Sequence, residues 1–535
     1  MSISSRRIGV RFFAAIAVLL FGAYALAGCQ RGGAGNQVAA NPSPTASPGA
    51  NPCTTVGPSQ TSALPPAIQS NQLAMDCAAW QTFIALNWQA DPTKPGYPDP
   101  SATWASFGTP GSTSDTVWQS YLDAATVFGG GNLQGAWQRP RPATLTLVRT
   151  SKFGDLDLSS IFQAGAGDHW LTNQRGDLTF YNILMNQDEF AFVTQKGFDL
   201  TTAAGQQKCA TQVGKPVTDG PPDPDGPKRG GFNMPAGNQQ NGWDDTDCAG
   251  NVVVFGQGVG SMEIKAAWTP LPADHSLDYR YKTALATIQD PVTKTTRNVT
   301  VGLVGLHIIR KLPGQLPWVW ATFEQIDNTP DEAANGGFSA PSLPANANQK
   351  PSPGYTFFNP DCQPAKDPVY ACRHNMPPRP CGSGGICMPF KAPMQITRIR
   401  PVDATANSVT AYAWSLMPAG SVFNYYRLID VQFPQTNPSP PPGPGLRVPL
   451  TQGNPMPAGA AGGPQQIVSN TTLESFQQTS ASCMDCHANF ASIASPGLLQ
   501  ASSQGHLRQI TRATAAAPNA YASDYSFIFA AETKR

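Results

Sequence analysis

Charge is scarce in this chain. Only 13% of its 535 residues are Asp, Glu, Lys or Arg, and 35 basic residues nearly cancel 34 acidic ones. No excess of one sign is left to build a nucleic-acid surface. No GxGxxG follows a predicted strand, which argues against a nucleotide cofactor, and no P-loop, zinc-hydrolase or Ser-His-Asp pattern stands out. No repeat of 20–50 residues recurs, so a solenoid or propeller is not expected. Histidine is sparse as well, with six in the whole chain. Glycine and proline, by contrast, are abundant at 50 and 52, which predicts long irregular connections between elements.

Against this background one short motif stands out. Cys483-Met484-Asp485-Cys486-His487 is a CxxCH. Two thiols at this spacing can reach both vinyl groups of one porphyrin, and the adjacent imidazole can bind the iron. With the chain's Cys and His content the motif arises by chance in about one chain in 400. A thioredoxin-like CxxC would follow a strand of a βαβ unit, and none is visible upstream. A zinc site would need a second pair of ligands nearby, and only His506 follows.

The N-terminus reads as an export signal. Arg6, Arg7 and Arg11 precede an apolar run from Phe12 to Ala27, of signal-peptide rather than membrane-spanning length. The run ends in Leu26-Ala27-Gly28-Cys29, which resembles the lipobox of bacterial lipoproteins. That resemblance implies cleavage before Cys29, lipidation of Cys29, and, with Gln30 rather than Asp following, sorting to the outer membrane on its periplasmic side. Lipid chains anchor a protein without spanning the bilayer.

The expected organisation has five parts: a signal peptide over 1–28, a flexible Pro/Ala/Gly/Ser tether over 29–68, a body over 69–434, a Pro/Gly-rich linker over 435–466, and a haem segment over 467–535. The fold class is α+β, a large sheet-containing body with many loops plus a small all-α C-terminal segment. Apolar spacing predicts a helix over 73–88, a second over 118–128 and a third over 188–204. Strands are predicted at 145–148, at 262–268 with Met262, Ile264, Ala266 and Trp268 on one face, at 299–309, at 318–323, at 410–416 and at 422–431. Residues 205–250 read as a polar loop whose acidic runs are solvated turns. Thr471 and Glu474 resemble a capping box opening a helix.

Three of the 11 cysteines have assigned roles, Cys29 in lipidation and Cys483 and Cys486 in haem attachment. The remaining eight suit disulfides in an oxidising compartment. Proximity pairs Cys53 with Cys77 and Cys209 with Cys248; Cys362, Cys372, Cys381 and Cys387 lie within 26 residues and allow three connectivities, of which Cys362–Cys372 with Cys381–Cys387 is favoured.

The segment around Cys483, Cys486 and His487 resembles the haem-attachment region of bacterial c-type cytochromes. The resemblance implies one covalent haem c, thioether bonds at both cysteines and proximal iron ligation by His487. Small cytochrome domains usually add a distal Met, but none of the 48 residues after His487 is Met. Three alternatives stay open: His506; a ligand from the body, with Met262, His307, His374 and Met376 as candidates; or an open sixth position. About 70 residues with few large apolar side chains cannot cover a haem, so the body is expected to form one wall of its pocket and tune it.

The leading expectation is one-electron transfer with a periplasmic or surface redox partner. A haem enzyme of peroxidase or oxygenase type is the second, with His307 and Glu324 as candidate acid/base groups and Trp318 and Trp320 as candidate relays. A haem-based binding or sensing protein is the third.

Overall fold

The computed structural model describes residues 50–54, 56–66, 71–148, 170–213, 233–237, 245–312, 318–333, 337–344, 354–363, 372–377, 391–433, 468–478, 483, 487 and 523–529. The fold is α+β. Five helices are described: α1 (Gln72–Asn87), α2 (Ala124–Phe128), α3 (Gln187–Val193), α4 (Ala203–Val213) and α5 (Ala404–Leu416). The main sheet contains β1 (Leu122–Asp123), β2 (Leu145–Leu147), β3 (Phe180–Met185), β4 (Met262–Pro270), β5 (Thr283–Gln289), β6 (Thr296–Arg310) and β7 (Val319–Gln325). A separate two-stranded ribbon joins β8 (Asp331–Glu332) to β9 (Phe338–Ser339), and β10 (Tyr426–Gln432) completes the main sheet.

β6 organises the sheet. Along one edge it pairs antiparallel with β4; along the other it meets β5 through Gly302 and then β7 from Gly305 onward. The order β1-β3-β4-β6-β5-β2 therefore carries a branch, β7 and then β10. All nine residues of β4 are buried, so both faces of the sheet are covered. Alternation assigns those faces. Met262, Ile264 and Ala266 line one, with Leu306 and Ile308 beside them in register. Glu263 and Lys265 line the other, aligned with Ile309 and His307 on β6 and then with Trp320 and Thr322 on β7.

The apolar face carries the larger core. α1 lies against it, with Trp80 edge-on to Phe323 at 5.2 Å and its indole donating to Thr410 on α5 at 3.0 Å. Thirteen of the sixteen residues of α1 are buried, because sheet, α5 and an N-terminal strap enclose it. That strap is part of the segment expected to be a tether. Residues 56–66 dock on the helix: Ser59 N–H donates to the Gln81 carboxamide at 2.8 Å, which donates back to the Ala63 carbonyl at 2.7 Å. Cys53 is bonded to Cys77 and Leu64 packs on the core, so a polar, proline-rich composition is held down by a cross-link and a few contacts besides the hydrogen bonds.

Cys209–Cys248 and Cys362–Cys372 are also bonded, as their proximity predicts; Cys381 and Cys387 lie outside the described residues. The strands at 145–148, 262–268, 299–309 and 318–323 form, each within a few residues of expectation.

Several local expectations are corrected. The stretch 410–416 is helix α5, not strand: Ala406, Val409, Thr410 and Ala413 are buried at three- and four-residue spacing, and Asp403 caps the helix by accepting from Thr405 and Ala406. The helix expected over 188–204 ends at Val193 with Thr194 as its cap, a turn in which Gly197 adopts φ +83° follows, and a second helix, α4, begins at Ala203 and runs on to Val213, into the stretch from 205 read as a loop. The helix expected over 118–128 splits into a 3-10 turn, β1 and α2, with Asp123 capping α2. Strands β3 and β5 have no counterpart in the sequence reading. Among the described residues no helix is long and apolar enough to cross a membrane.

Candidate functional site

The polar face of the sheet is covered by the C-terminal part of the chain. Asn470 is the first anchor: its Nδ2 donates to Thr322 Oγ1 and to the Phe323 carbonyl, both at 2.9 Å. Thr471 N–H donates to Glu324 at 2.5 Å, and Tyr181 O–H donates to the Thr472 carbonyl at 2.9 Å. Glu474 Oε2 reaches back to the N–H of Asn470 at 2.9 Å, so the reciprocal cap centres one residue earlier than Thr471, on a turn rather than a regular helix. Gly305 makes this approach sterically feasible. A Cβ there would stand 2.1 Å from Thr472 Oγ1 and 2.9 Å from Asn470 Oδ1. The glycine that interrupts an apolar strand in the sequence marks the place where another segment crosses it.

A second anchor is the short stretch Ser523–Phe529. Asp524 and Tyr525 have φ of +52° and +67°, a left-handed backbone that non-glycine residues seldom adopt. Buried bonds hold this turn. Asp524 Oδ2 pairs with the Lys311 ammonium and accepts from Met234 N–H at 2.7 Å, while the Asp524 carbonyl accepts from the Trp318 indole at 2.7 Å. The aromatic pair proposed as relays is thus divided in role, with Trp318 holding the turn and Trp320 facing the motif.

His487 sits between these supports. Its ring centroid is 5.7 Å from Trp320 of β7 and 4.7 Å from Phe527. Its Nδ1 is 2.6 Å from the Tyr525 carbonyl oxygen. A carbonyl only accepts, so Nδ1 carries the proton, and the neutral ring of that tautomer has its basic lone pair on Nε2. Cys483, four residues earlier and also in helical backbone, is half-buried against the main core. Of the body, Trp320 lies against His487.

The surroundings are electrostatically unusual. Glu189 and Glu263 lie buried near the β4 face, and both carboxyls are pushed above the ordinary carboxylate range, first by burial. For Glu189 the neighbouring Glu263 adds to the shift; for Glu263 the Lys265 ammonium opposes it. Lys265 Nζ is 6.0 Å from the Phe527 ring. A set of buried ionisable groups therefore stands behind the ring that packs on His487.

The candidate ligands from the body are dispersed. His307 lies on the same face as Trp320, aligned with Lys265 and Thr322, and its Nε2 is 3.4 Å from Glu474 Oε2. Met262 is on the opposite face, where the Tyr121 hydroxyl meets its sulfur at 3.8 Å, so the sheet separates it from His487. His374 and Met376 share the stretch 372–377, where His374 pairs with Glu332 of β8 at 3.9 Å and Met376 accepts from Arg373 at 3.8 Å. Glu324, considered as an acid/base group, is instead bound to Arg398 and to Thr471 N–H. Cys486, His506 and Cys29 lie outside the described residues.

Sequence reasoning missed the supports, Asp524, Lys311 and Asn470, because each contacts residues far away in the chain. The one available signal was Gly305. Compared with known proteins, the chain matches no protein-family model, no curated protein and no solved structure.

Proposed function

We propose that this chain is an exported, lipid-anchored c-type haem protein that transfers single electrons. One covalent haem c is held by Cys483 and Cys486, with His487 as its proximal ligand and Cys29 as the lipid anchor. The observation that carries the reading is the hydrogen bond from His487 Nδ1 to the Tyr525 carbonyl. Metal-binding histidines characteristically donate their other ring nitrogen to a carbonyl or carboxylate, which fixes tautomer and ring direction. The residues fit the group in a second respect, since Trp320 and Phe527 give an apolar wall beside the imidazole. Three disulfides suit an oxidising compartment, where haem c is attached.

Haem supplies a one-electron couple when bound. The chain's own part is to orient His487 through Tyr525, to exclude water with Trp320 and Phe527, and to hold the Lys265 ammonium near the Phe527 ring. A buried wall keeps reorganisation small when charge changes, which suits electron exchange with a periplasmic or surface redox partner.

The test is an absorption spectrum of the protein from a strain competent in cytochrome c maturation, oxidised and dithionite-reduced, with and without CO. Sharp reduced bands unchanged by CO support electron transfer. Ready CO binding moves the haem-enzyme or sensor reading to first place. No haem in the wild-type protein, or haem retained covalently in Cys483→Ala/Cys486→Ala, refutes the assignment.

A further inference from the structure

Two buried carboxyls stand near the ring that packs on His487. Glu189, in the first turn of α3, and Glu263, on β4, are 0% and 1% exposed. Both oxygens of Glu189 lack a hydrogen-bond partner among the described residues, and so does Oε2 of Glu263. Glu263 accepts from the Ser526 side chain. Ser526 precedes Phe527, whose ring is 4.7 Å from that of His487. Lys265, two residues along β4 on the same face as Glu263, brings its ammonium to 6.0 Å from the Phe527 ring.

The charged groups acting on Glu189 are Glu263, Lys265 and Asp524; on Glu263 they are Glu189, Lys265 and Asp524. Asp524 is paired with Lys311. His307 on β6, aligned with Lys265, lies instead against Glu474. Asp188, beside Glu189 on α3, turns away to the N–H groups of Gln257, Val259 and Gly260.

The set of Glu189, Glu263, Asp524, Lys265 and Lys311, all buried, holds three carboxyls and two ammoniums. Fully ionised, it would keep one excess negative charge out of water, which is costly. Asp524 stays ionised, because the Lys311 ammonium and Met234 N–H hold its charge. Carboxylate oxygens that no donor faces are the ones that take up a proton. One proton on the Glu189–Glu263 pair removes the excess, and burial pushes both of these carboxyls upward in agreement with that count.

We propose that Glu189 and Glu263 form a proton-binding pair coupled to the redox state of the His487 centre, taking up a second proton when the protein accepts an electron and releasing it when the electron leaves. This rests on the haem reading above. The electron comes from the redox partner. The proton comes from solvent and forms an O–H bond on a carboxylate oxygen of the pair. The coupling is Coulombic: reduction removes one positive charge beside His487, and a unit charge about 10 Å away through protein changes a proton affinity about tenfold. Linkage is reciprocal, so the pair's protonation raises the potential as much as reduction raises the proton affinity. The potential therefore falls as pH rises.

The protein is prepared from a strain that matures cytochromes c. Its midpoint potential is measured against pH in the wild type, Glu189→Gln, Glu263→Gln and the double variant. The wild-type potential is expected to fall by at least about 59 mV across the titration, the one-electron equivalent of tenfold. The double variant should lose most of that fall. Infrared spectra of the reduced minus the oxidised protein give a second readout, which a purely structural role would not produce. The wild type should gain the C=O band of a protonated carboxyl, and the double variant should not. Thermal unfolding checks each variant, and should the double variant not fold, the single variants and the wild-type infrared band decide. A haem-loaded wild type whose potential ignores pH, a fall kept in full by the folded variants, or no carboxyl band overturns the coupling and leaves the haem assignment standing. A protein without covalent haem refutes both.

Discussion

Asp524 is the residue whose replacement most sharply tests the architecture of the C-terminal cover. Its carboxylate and the Lys311 ammonium are 2% and 1% exposed, so the pair is removed from water. Replacing Asp524 by Asn preserves shape and leaves an oxygen for Met234 N–H, but withdraws the negative charge from a buried cation. Breaking a buried pair from one side typically costs about 3–5 kcal/mol. The left-handed turn at Asp524 and Tyr525 is held by the same bonds, and such conformations each cost about 1–3 kcal/mol where the surroundings do not enforce them. We therefore expect Asp524→Asn to lower stability by about 3–5 kcal/mol.

The remedy should be as informative as the damage. Removing the cation too, in Lys311→Met/Asp524→Asn, replaces an uncompensated charge by an apolar contact, a change that is often close to neutral. Urea unfolding of the wild type, Asp524→Asn, Lys311→Met and the double variant, followed by tryptophan fluorescence, closes the thermodynamic cycle. The expected coupling is at least about 2 kcal/mol, with the double variant more stable than Asp524→Asn alone. Because the Tyr525 carbonyl that receives His487 Nδ1 is part of this turn, the proposed haem assignment further expects Asp524→Asn to shift the midpoint potential of the protein from a strain that matures cytochromes c, and the double variant not to restore it fully. A loss below about 1 kcal/mol for Asp524→Asn, or a double variant no better than the single one, would refute the reasoning.

Three further outcomes follow from the same structure. Gly305→Ala should cost about 1–3 kcal/mol, because its Cβ overlaps Thr472 Oγ1, and adding Thr472→Ala should recover part of the loss in urea midpoint. Burial pulls the Lys282 ammonium down to about 8 against the attraction of Asp115. Its unfolded value is near 10.4, so between these limits the unfolded chain holds more protons and stability rises with pH, by about 3 kcal/mol in all, and is flat below pH 8; urea unfolding from pH 7.5 to 9.5 should show that rise in the wild type and not in Lys282→Met. Removing Cys209–Cys248, which spans 39 residues, should cost about 4 kcal/mol, against about 2.5–3 kcal/mol for Cys362–Cys372, which spans 10, and midpoints in the reverse order would argue against chain entropy as the cause.

What could be read in advance follows from the range of the interactions. β4 and β6 were legible because a strand's alternation or β-branched run is written in consecutive residues. The three disulfides were legible because their partners are near in sequence. α5 was mistaken for a strand because Thr410 to Leu416 is its C-terminal half alone, and the helical spacing emerges only with Ala406 and the Asp403 cap included. β3 and β5 are short and gain their stability from neighbours rather than from a strong local pattern.

The candidate site divides along the same line. The CxxCH is written in five adjacent letters, whereas its supports are assembled from positions about 150 to 290 residues apart: Asp524 with Met234, Lys311 and Trp318, and Asn470 with Thr322. No local pattern distinguishes Asp524 from any other acidic residue near a chain end. Gly305 is the exception. A glycine inside an otherwise apolar, β-branched strand has a reason, either a left-handed backbone or a neighbour too close for a Cβ, and here it is the latter. Reading that glycine as a demand for a visitor would have predicted that some distant segment crosses β6 beside His307. The segment that crosses is the one that precedes the CxxCH in the chain, so an anomaly inside the body strand is the sequence's trace of how that segment is docked on the body.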